Sequence, residues 1–336
     1  MLRDATVFED EHLPREIVGR NSQMNEVTDA LAPVEEGVRA ENCFLFGPSG
    51  AGKTTVARAA VRELRREVLD VPTAYVNCWK DYTRSSVLER AANTLADAAV
   101  PKNAPTRELI DTLQDGLDSP SVIILDEVDQ LQDSNVLYDL HSVPELAWIC
   151  IANREVDLLA RLDERVHSRI SVGYRVQFDR YTVDTVTEIL DRRTAQGLEP
   201  GAVERETLRR IAELVDGDAR QAITALRVAA RKSEREGLSM IPSRLVDDAV
   251  LDAEAEVRRK TISKLNDHQR VLYECIEEHG PLIQKALYER YREAHPDPIT
   301  LRALRENHLP KLAHYNLIRT ERGGEGKSYR LASRTG

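Results

Sequence analysis

Thiols and lysine are both scarce in this 336-residue chain. Its four cysteines, Cys43, Cys78, Cys150 and Cys275, lie far apart and none forms a Cys-x-x-Cys pair. That spacing argues against a disulfide framework and against a thiolate zinc site, so single thiols in or near cores are expected. Lysine contributes only nine of the 47 basic residues. Long apolar runs are missing too. None approaches the ~18–20 residues that span a bilayer, and the first residues have no apolar stretch of the kind that opens a secretory signal. The expectation is a cytoplasmic protein with no membrane partner.

Hydrophobic residues make up 41% of the chain and charged residues 31%, a globular balance, and the length suits two or three domains. The net charge of −10 argues at first against nucleic acid. Its distribution reverses that. Residues 261–336 hold 13 Lys and Arg against 10 Asp and Glu, while residues 1–260 hold 34 against 47. The basic end is local, and binding follows the local field rather than the total. An acidic, lysine-poor composition also predicts a protein suited to a high-salt cytoplasm.

Periodicity gives the organisation. Residues 1–20 read as an extended lead-in, broken by Pro14 and Gly19, and a helix follows to about Leu31. Short apolar runs at residues 42–46, 73–77, 121–125, 146–152 and 175–178 read as strands, with helices between them, most clearly over 53–69, 85–99 and 104–117. Strands alternating with helices imply a parallel sheet with right-handed crossovers. After Tyr181 the strand signals stop, and 185–196, 204–215, 219–236 and 242–255 all read as helices. The remainder reads as helices over 267–278, 282–294 and 300–315, then two short strands around Gly323-Gly324. Three helices and a hairpin form the pattern of a winged helix. No internal repeat or low-complexity tract is present.

The chemistry starts at Gly47-Pro48-Ser49-Gly50-Ala51-Gly52-Lys53-Thr54, which fits G-x-x-x-x-G-K-[ST] between a strand and a helix. Glycines let backbone N–H groups wrap phosphates, and the helix N-terminus adds its positive end. Lys53 is expected to reach the β- and γ-phosphates and Thr54 to ligate Mg2+. Val122–Leu125 followed by Asp126 and Glu127 is a hydrophobic strand ending in two acids. A strand beside the P-loop strand would bring Asp126 to the magnesium and let Glu127 deprotonate the attacking water. Asn153, at the end of the next strand, would stand between those acids and the γ-phosphate. Arg165 and Arg169 follow; either can serve as a finger on a neighbouring subunit's γ-phosphate, and a solvated helix face explains either equally well. Arg220, opening a helix after Gly217-Asp218-Ala219, would reach the γ-phosphate from a lid.

These pieces, in this order, resemble the AAA+ superfamily and, more narrowly, the archaeal origin-recognition/cell-division-control initiator family. The resemblance is carried by Ile17-Val18-Gly19-Arg20, the P-loop, Val76-Asn77-Cys78, Leu125-Asp126-Glu127-Val128-Asp129, the pair Leu137-Tyr138, Leu162–Arg169, Gly217-Asp218-Ala219-Arg220, Ala225-Leu226-Arg227 and the terminal winged-helix pattern. It implies an α/β P-loop AAA+ core (1–180), a helical lid (181–260) and a winged-helix DNA-binding domain (261–336). It implies ATP or ADP with Mg2+, held by Val18, residues 47–54, Thr55 and Arg220. It further implies slow, switch-like hydrolysis, double-stranded origin DNA, the replicative minichromosome-maintenance helicase and other initiator copies as partners. By the same analogy Arg302, Arg305 and Lys311 of the third helix would enter the major groove, Arg322 and Lys327 would lie on the wing, and an insertion after the second strand would place Lys80 and Arg84 on DNA.

Three departures stand out: a short segment between Asp129 and Leu137, Ala152 where Ser is expected before Asn153, and Glu325 in the wing. They weaken sequence reading of DNA more than ATP binding. Two rivals are a nucleotide-gated winged-helix transcription regulator, whose effector or repeat domains would be expected after the wing, and a clamp-loader-like ATPase, which would end in a helical collar.

Overall fold

The computed structural model describes residues 1–155, 172–323 and 326–332, with the side chains of 322 and 323 also outside the description. Arg165 and Arg169, the two expected finger residues, lie outside the described residues.

The apolar runs form a sheet because they can be covered on both faces. Strands β1 (Cys43–Phe46), β3 (Ser121–Asp126) and β4 (Leu146–Ala152) are buried at every position, as strands with both faces covered are. β2 (Thr73–Asn77) and β5 (Tyr174–Gln177) are the outer strands, and the order is β2-β3-β4-β1-β5, all neighbours parallel. One face carries Phe44, Phe46, Ile123 and Trp148, packed under α3 (Arg84–Leu95), α4 (Thr106–Gly116) and α5 (Asn135–His141). The rings of Phe44 and Trp148 meet edge to face at 4.8 Å. The other face carries Leu45, Val122 and Ile149 under α1 (Asn21–Leu31) and α2 (Lys53–Glu67).

The order corrects one expectation. β3 does not lie beside the P-loop strand, because β4 runs between β3 and β1. β4 therefore ends between them, which puts Asn153 between the two motifs.

The chain divides into two compact units, Met1–Leu251 and Asp252–Gly336. The helical stretch after the sheet, α6 (Val183–Gly197), α7 (Arg205–Leu214) and α8 (Ala219–Arg235), belongs to the first unit along with the core, so the expected boundary at 180/181 falls inside it. The expected extended lead-in is a shaped strap. It holds a 3-10 turn over Ala5–Phe8, a bridge from Leu2 to Leu198, and Phe8 so close to Gly197 that a Cβ there would lie 2.4 Å from the ring. Arg193 of α6 donates to Val7 O at 2.5 Å, and Arg62 of α2 donates to Pro14 O at 2.7 Å.

Helix α9 (Val246–Ser263) runs past the expected end at Ala255 and contains the division between the units. In the second unit, α10 (Asp267–His279) starts at a reciprocal cap between Asn266 and Gln269. Leu282–Ile283, expected as helix, pairs instead as β6 with β8 (Gly326–Leu331), before α11 (Gln284–Ala294) begins. β7 (Ile318–Gly323) completes an antiparallel sheet of order β6-β8-β7. The third helix is not continuous: α12 (Leu301–Ala303) passes through a π turn at Leu304–His308 into α13 (Leu309–His314). Pro310 explains the break. It has no N–H for the preceding turn, and it sits in the first turn of α13, where that loss is tolerated.

Candidate nucleotide-binding site

The turn leaving β1 needs glycine for two reasons. Gly47, Gly50 and Gly52 have φ of +152°, +73° and +90°, conformations that L side chains rarely adopt. Gly47 and Gly52 also face the segment leading into the helical stretch, and Gly50 faces the cap of α8 (Ala219–Arg235). A Cβ would lie 2.2 Å from Phe178 O at Gly47, 2.1 Å from Asp218 Oδ1 at Gly50, and 2.2 Å from the Tyr181 hydroxyl at Gly52. Ala219 N donates to Gly50 O at 3.3 Å. Pro48, Ser49 and Ala51 complete the loop, and α2 starts at Lys53 with its free N–H groups toward it.

Lys53 is only 6% exposed. Its ammonium donates to Gly47 O at 2.6 Å, Pro48 O at 2.8 Å and Asn153 Oδ1 at 3.1 Å. Burial pulls its pKa down to about 8, against the attraction of Asp126. Thr54 Oγ1 donates to Asp126 Oδ2 at 2.9 Å. Lys53, Thr54, Asp126 and Asn153 therefore meet at one place, although β3 and β1 are not neighbours. Thr55 follows on the first turn of α2, half-buried. Glu127 has φ +59° and ψ +45°, a left-handed conformation rare for a residue with a side chain. Such local strain, worth about 1–3 kcal/mol, clusters at functional sites.

Arg220 is the second residue of α8, which Asp218 caps by accepting from Gln221 N at 2.9 Å. Burial of its guanidinium works against the charge, but Asp10, Asp218, Glu127 and Asp126 outweigh it and raise the pKa. Arg220 and Lys53 thus face the same two acids from opposite elements. Val18 lines a cleft of about 660 Å³ with Ile17, Gly19, Met24 and Arg192; no P-loop residue lines it.

Two residues of this site were not read from the sequence as site residues. Arg20, buried at 6% exposure, donates from Nε to Ala51 O at 2.9 Å and from Nη2 to Asp179 O at 2.5 Å, and its guanidinium lies 3.9 Å from the centre of the Tyr181 ring. It ties the P-loop to the start of the helical stretch. Its place in Ile17-Val18-Gly19-Arg20 was the available signal. Tyr75 donates to Asp126 Oδ2 at 2.7 Å, and nothing in an alternating edge strand marks it.

A family model described as an AAA domain matches residues 38–165, and one described as a Cdc6 AAA+ ATPase-type lid domain matches residues 187–250. The ORC1-type DNA replication protein 9 of Halobacterium salinarum is 39% identical over 337 residues, spanning 100% of this chain and 95% of its own length. The chain belongs to the ORC1-type DNA replication protein family. ORC1-type DNA replication protein 1 of the same organism is 37% identical, over 91% of this chain and 100% of its own. Among solved structures, the Aeropyrum pernix ORC1 protein in complex with DNA matches with a TM-score of 0.77 at 25% identity, over 99% of this chain and 94% of that one. The A. pernix ORC2 protein in its ADPNP–ADP complexes shares the fold, at a TM-score of 0.67 and 22% identity over 100% and 95% of the two chains. The parallel sheet and the helical stretch of this ORC1-type chain are an AAA+ core and its lid.

The cations expected on DNA are in varied settings. Arg84 is paired within the core. It donates from Nε to Asp139 Oδ2 at 2.5 Å and from a terminal nitrogen to Oδ1 at 2.7 Å, so a buried carboxylate takes its fork. Lys80 is exposed. In the second unit, Arg302 and Arg305 are exposed, with Arg302 donating to Glu306 at 2.9 Å, and Lys311 is half-buried. Lys327 is exposed on β8, its Nζ 5.6 Å from the Tyr329 ring, and Arg322 is its partner in the β7–β8 register.

Proposed function

We propose that this ORC1-type chain is an ATP-switched replication initiator. It binds double-stranded origin DNA and recruits the replicative minichromosome-maintenance helicase. The observation that carries the reading is the meeting of Lys53, Asn153, Thr54 and Asp126, which joins the P-loop to the ends of β3 and β4. ATP or ADP binds with its phosphates on the backbone N–H groups of residues 47–54, Val18 and Thr55 beside it, and Lys53 turned from the loop carbonyls to the β- and γ-phosphates.

Thr54 and Asp126 fit Mg2+, since both offer hard oxygen donors and they already touch. When bound, the cation neutralises charge on the phosphate oxygens. Glu127 takes the proton from the attacking water, Asn153 orients that water, and Arg220 meets the γ-phosphate from the lid. Arg165 or Arg169 acts on the nucleotide of another initiator copy. Turnover is slow, and hydrolysis serves as a change of state.

The second unit is read as a winged helix. α10, α11 and the α12–α13 run supply three helices, and β7–β8 supply the wing. Arg302, Arg305 and Lys311 enter the major groove, while Arg322 and Lys327 meet the backbone or minor groove. Lys80 remains a candidate contact of the AAA+ core. Together with the lid this gives the three functional parts 1–180, 181–260 and 261–336, and a cytoplasmic protein.

Footprinting on origin DNA with and without ATP tests the reading. Protection at origins that strengthens with ATP is expected, and protection confined to promoters would move the chain to the transcription-regulator class. Glu127→Gln is expected to leave ATP binding intact and abolish turnover; lost binding would remove Glu127 from the base role.

A further inference from the structure

β2 carries a phenol that the ATPase reading does not use. Tyr75 is the middle residue of this outer strand and is 42% exposed. Its neighbours Ala74 and Val76 enter the core beneath α3, so Tyr75 stands on the opposite face, the α2 side. There the Arg58 guanidinium of α2 lies 5.9 Å from its ring centre. The register pairs Tyr75 with Ile124 and Asn77 with Asp126, which puts the ring two residues short of the acid on the same face. The hydroxyl spans that gap and donates to Asp126 Oδ2 at 2.7 Å, the oxygen that also accepts from Thr54 at 2.9 Å.

We infer that Tyr75 is a positioning residue for Asp126: its hydroxyl fixes the carboxylate in the orientation in which Asp126 and Thr54 together receive a divalent cation. A carboxylate's last torsion is broad and nearly two-fold, so one donor leaves it free to swing. Two donors from different elements, α2 and β2, remove that freedom. The contact also works outward from the site. Asp126 is only 6% exposed, while the ring that holds it stands at the sheet edge. Losing a partner that orients a metal-site group typically costs 10–100-fold in metal affinity. Thr54 alone approaches Oδ2 from one side, and Tyr75 adds a second donor to that same oxygen from another element, which narrows the swing of the carboxylate about it.

The inference rests on the proposed ATP–Mg2+ site, and the experiment separates the two. The full chain binds mant-ATP, followed by its fluorescence, first in EDTA and then through a Mg2+ titration. Tyr75→Phe keeps the ring beside Arg58 and removes only the donor. Its expected half-point lies about tenfold higher in Mg2+ than wild type, with mant-ATP affinity in EDTA within about twofold and an unchanged melting temperature. A Mg2+ half-point within twofold of wild type overturns the inference. So does a shift that appears equally in EDTA or follows a lowered melting temperature, since ring packing would then account for it. Wild type that fails to bind mant-ATP overturns the ATP-site reading itself.

Discussion

Replacing Arg84 with Met tests whether this cation supports the fold or holds DNA. Arg84 opens α3, after a reciprocal cap between Thr83 and Ser86, and reaches Asp139 on α5 through two nitrogens at 2.5 and 2.7 Å. The Asp139 side chain is 5% exposed and that of Arg84 35%. Removing one partner of a buried pair costs about 3–5 kcal/mol, because the other charge stays behind uncompensated. Arg84 is partly solvated, which puts the cost near the lower end, about 3 kcal/mol. For a unit the size of Met1–Leu251, 1 kcal/mol moves the melting temperature by about 2–4 °C, so a drop of about 6–12 °C is expected. Tryptophan fluorescence reads it cleanly, since both tryptophans, Trp79 and Trp148, lie in that unit. Adding Asp139→Leu is expected to recover most of the loss, as apolar replacement of both partners often does. The salt slope of DNA binding is expected not to change. Melting within 2 °C of wild type, with the slope of log affinity against log salt smaller by about one, would refute the reasoning and return Arg84 to the DNA interface.

Three further outcomes are expected. In the second unit, His268, His295 and His308 cluster, with His268 stacked on His295 at 4.2 Å and edge-on to His308 at 5.3 Å. Burial, with His268 and Lys311 nearby, pulls His308 down from 6.5 to about 4. The unfolded chain therefore takes up the proton first as pH falls. Stability is intact above pH about 6.5 and drains toward about 4, by at most about 3 kcal/mol. Far-UV circular dichroism is expected to show an acid transition to which tryptophan fluorescence is silent, and His308→Leu to remove it. Gly50→Ala is expected to weaken nucleotide binding at least tenfold, measured by mant-ATP titration, because the new Cβ meets Asp218 at 2.1 Å in a φ of +73°. Thermal melts from dilute buffer to molar KCl are expected to rise, given a net charge of −10; greatest stability in dilute buffer would count against the high-salt reading.

The P-loop and the buried strands were legible because each depends on local sequence. The motif fixes a turn chemistry, and runs such as Val122–Leu125 can only be covered on both faces. Strand order was not legible in the same way. β3 was expected beside β1, and β4 lies between them, a fact set by crossovers that leave no local mark. The ion pair of Arg84 was hidden for a similar reason. A cation at a helix start looks alike whether it faces phosphate or a carboxylate 55 residues further on. The broken third helix was half visible, since Pro310 stood in the sequence but the π turn before it did not.

The strap over residues 1–16 has a mechanical consequence. One end is tied to α6 through Arg3 and Arg193, and the other to α2 through Arg62, which takes Pro14 O and Arg15 O. The strap therefore joins the lid helix to the P-loop helix without passing through the nucleotide site. Arg193 also takes His12 O, and Arg192 of α6 pairs with Glu16 at the far end, so the strap is stitched to the lid helix along its length and to the P-loop helix at its close; any widening between α6 and α2 must break these ties one after another.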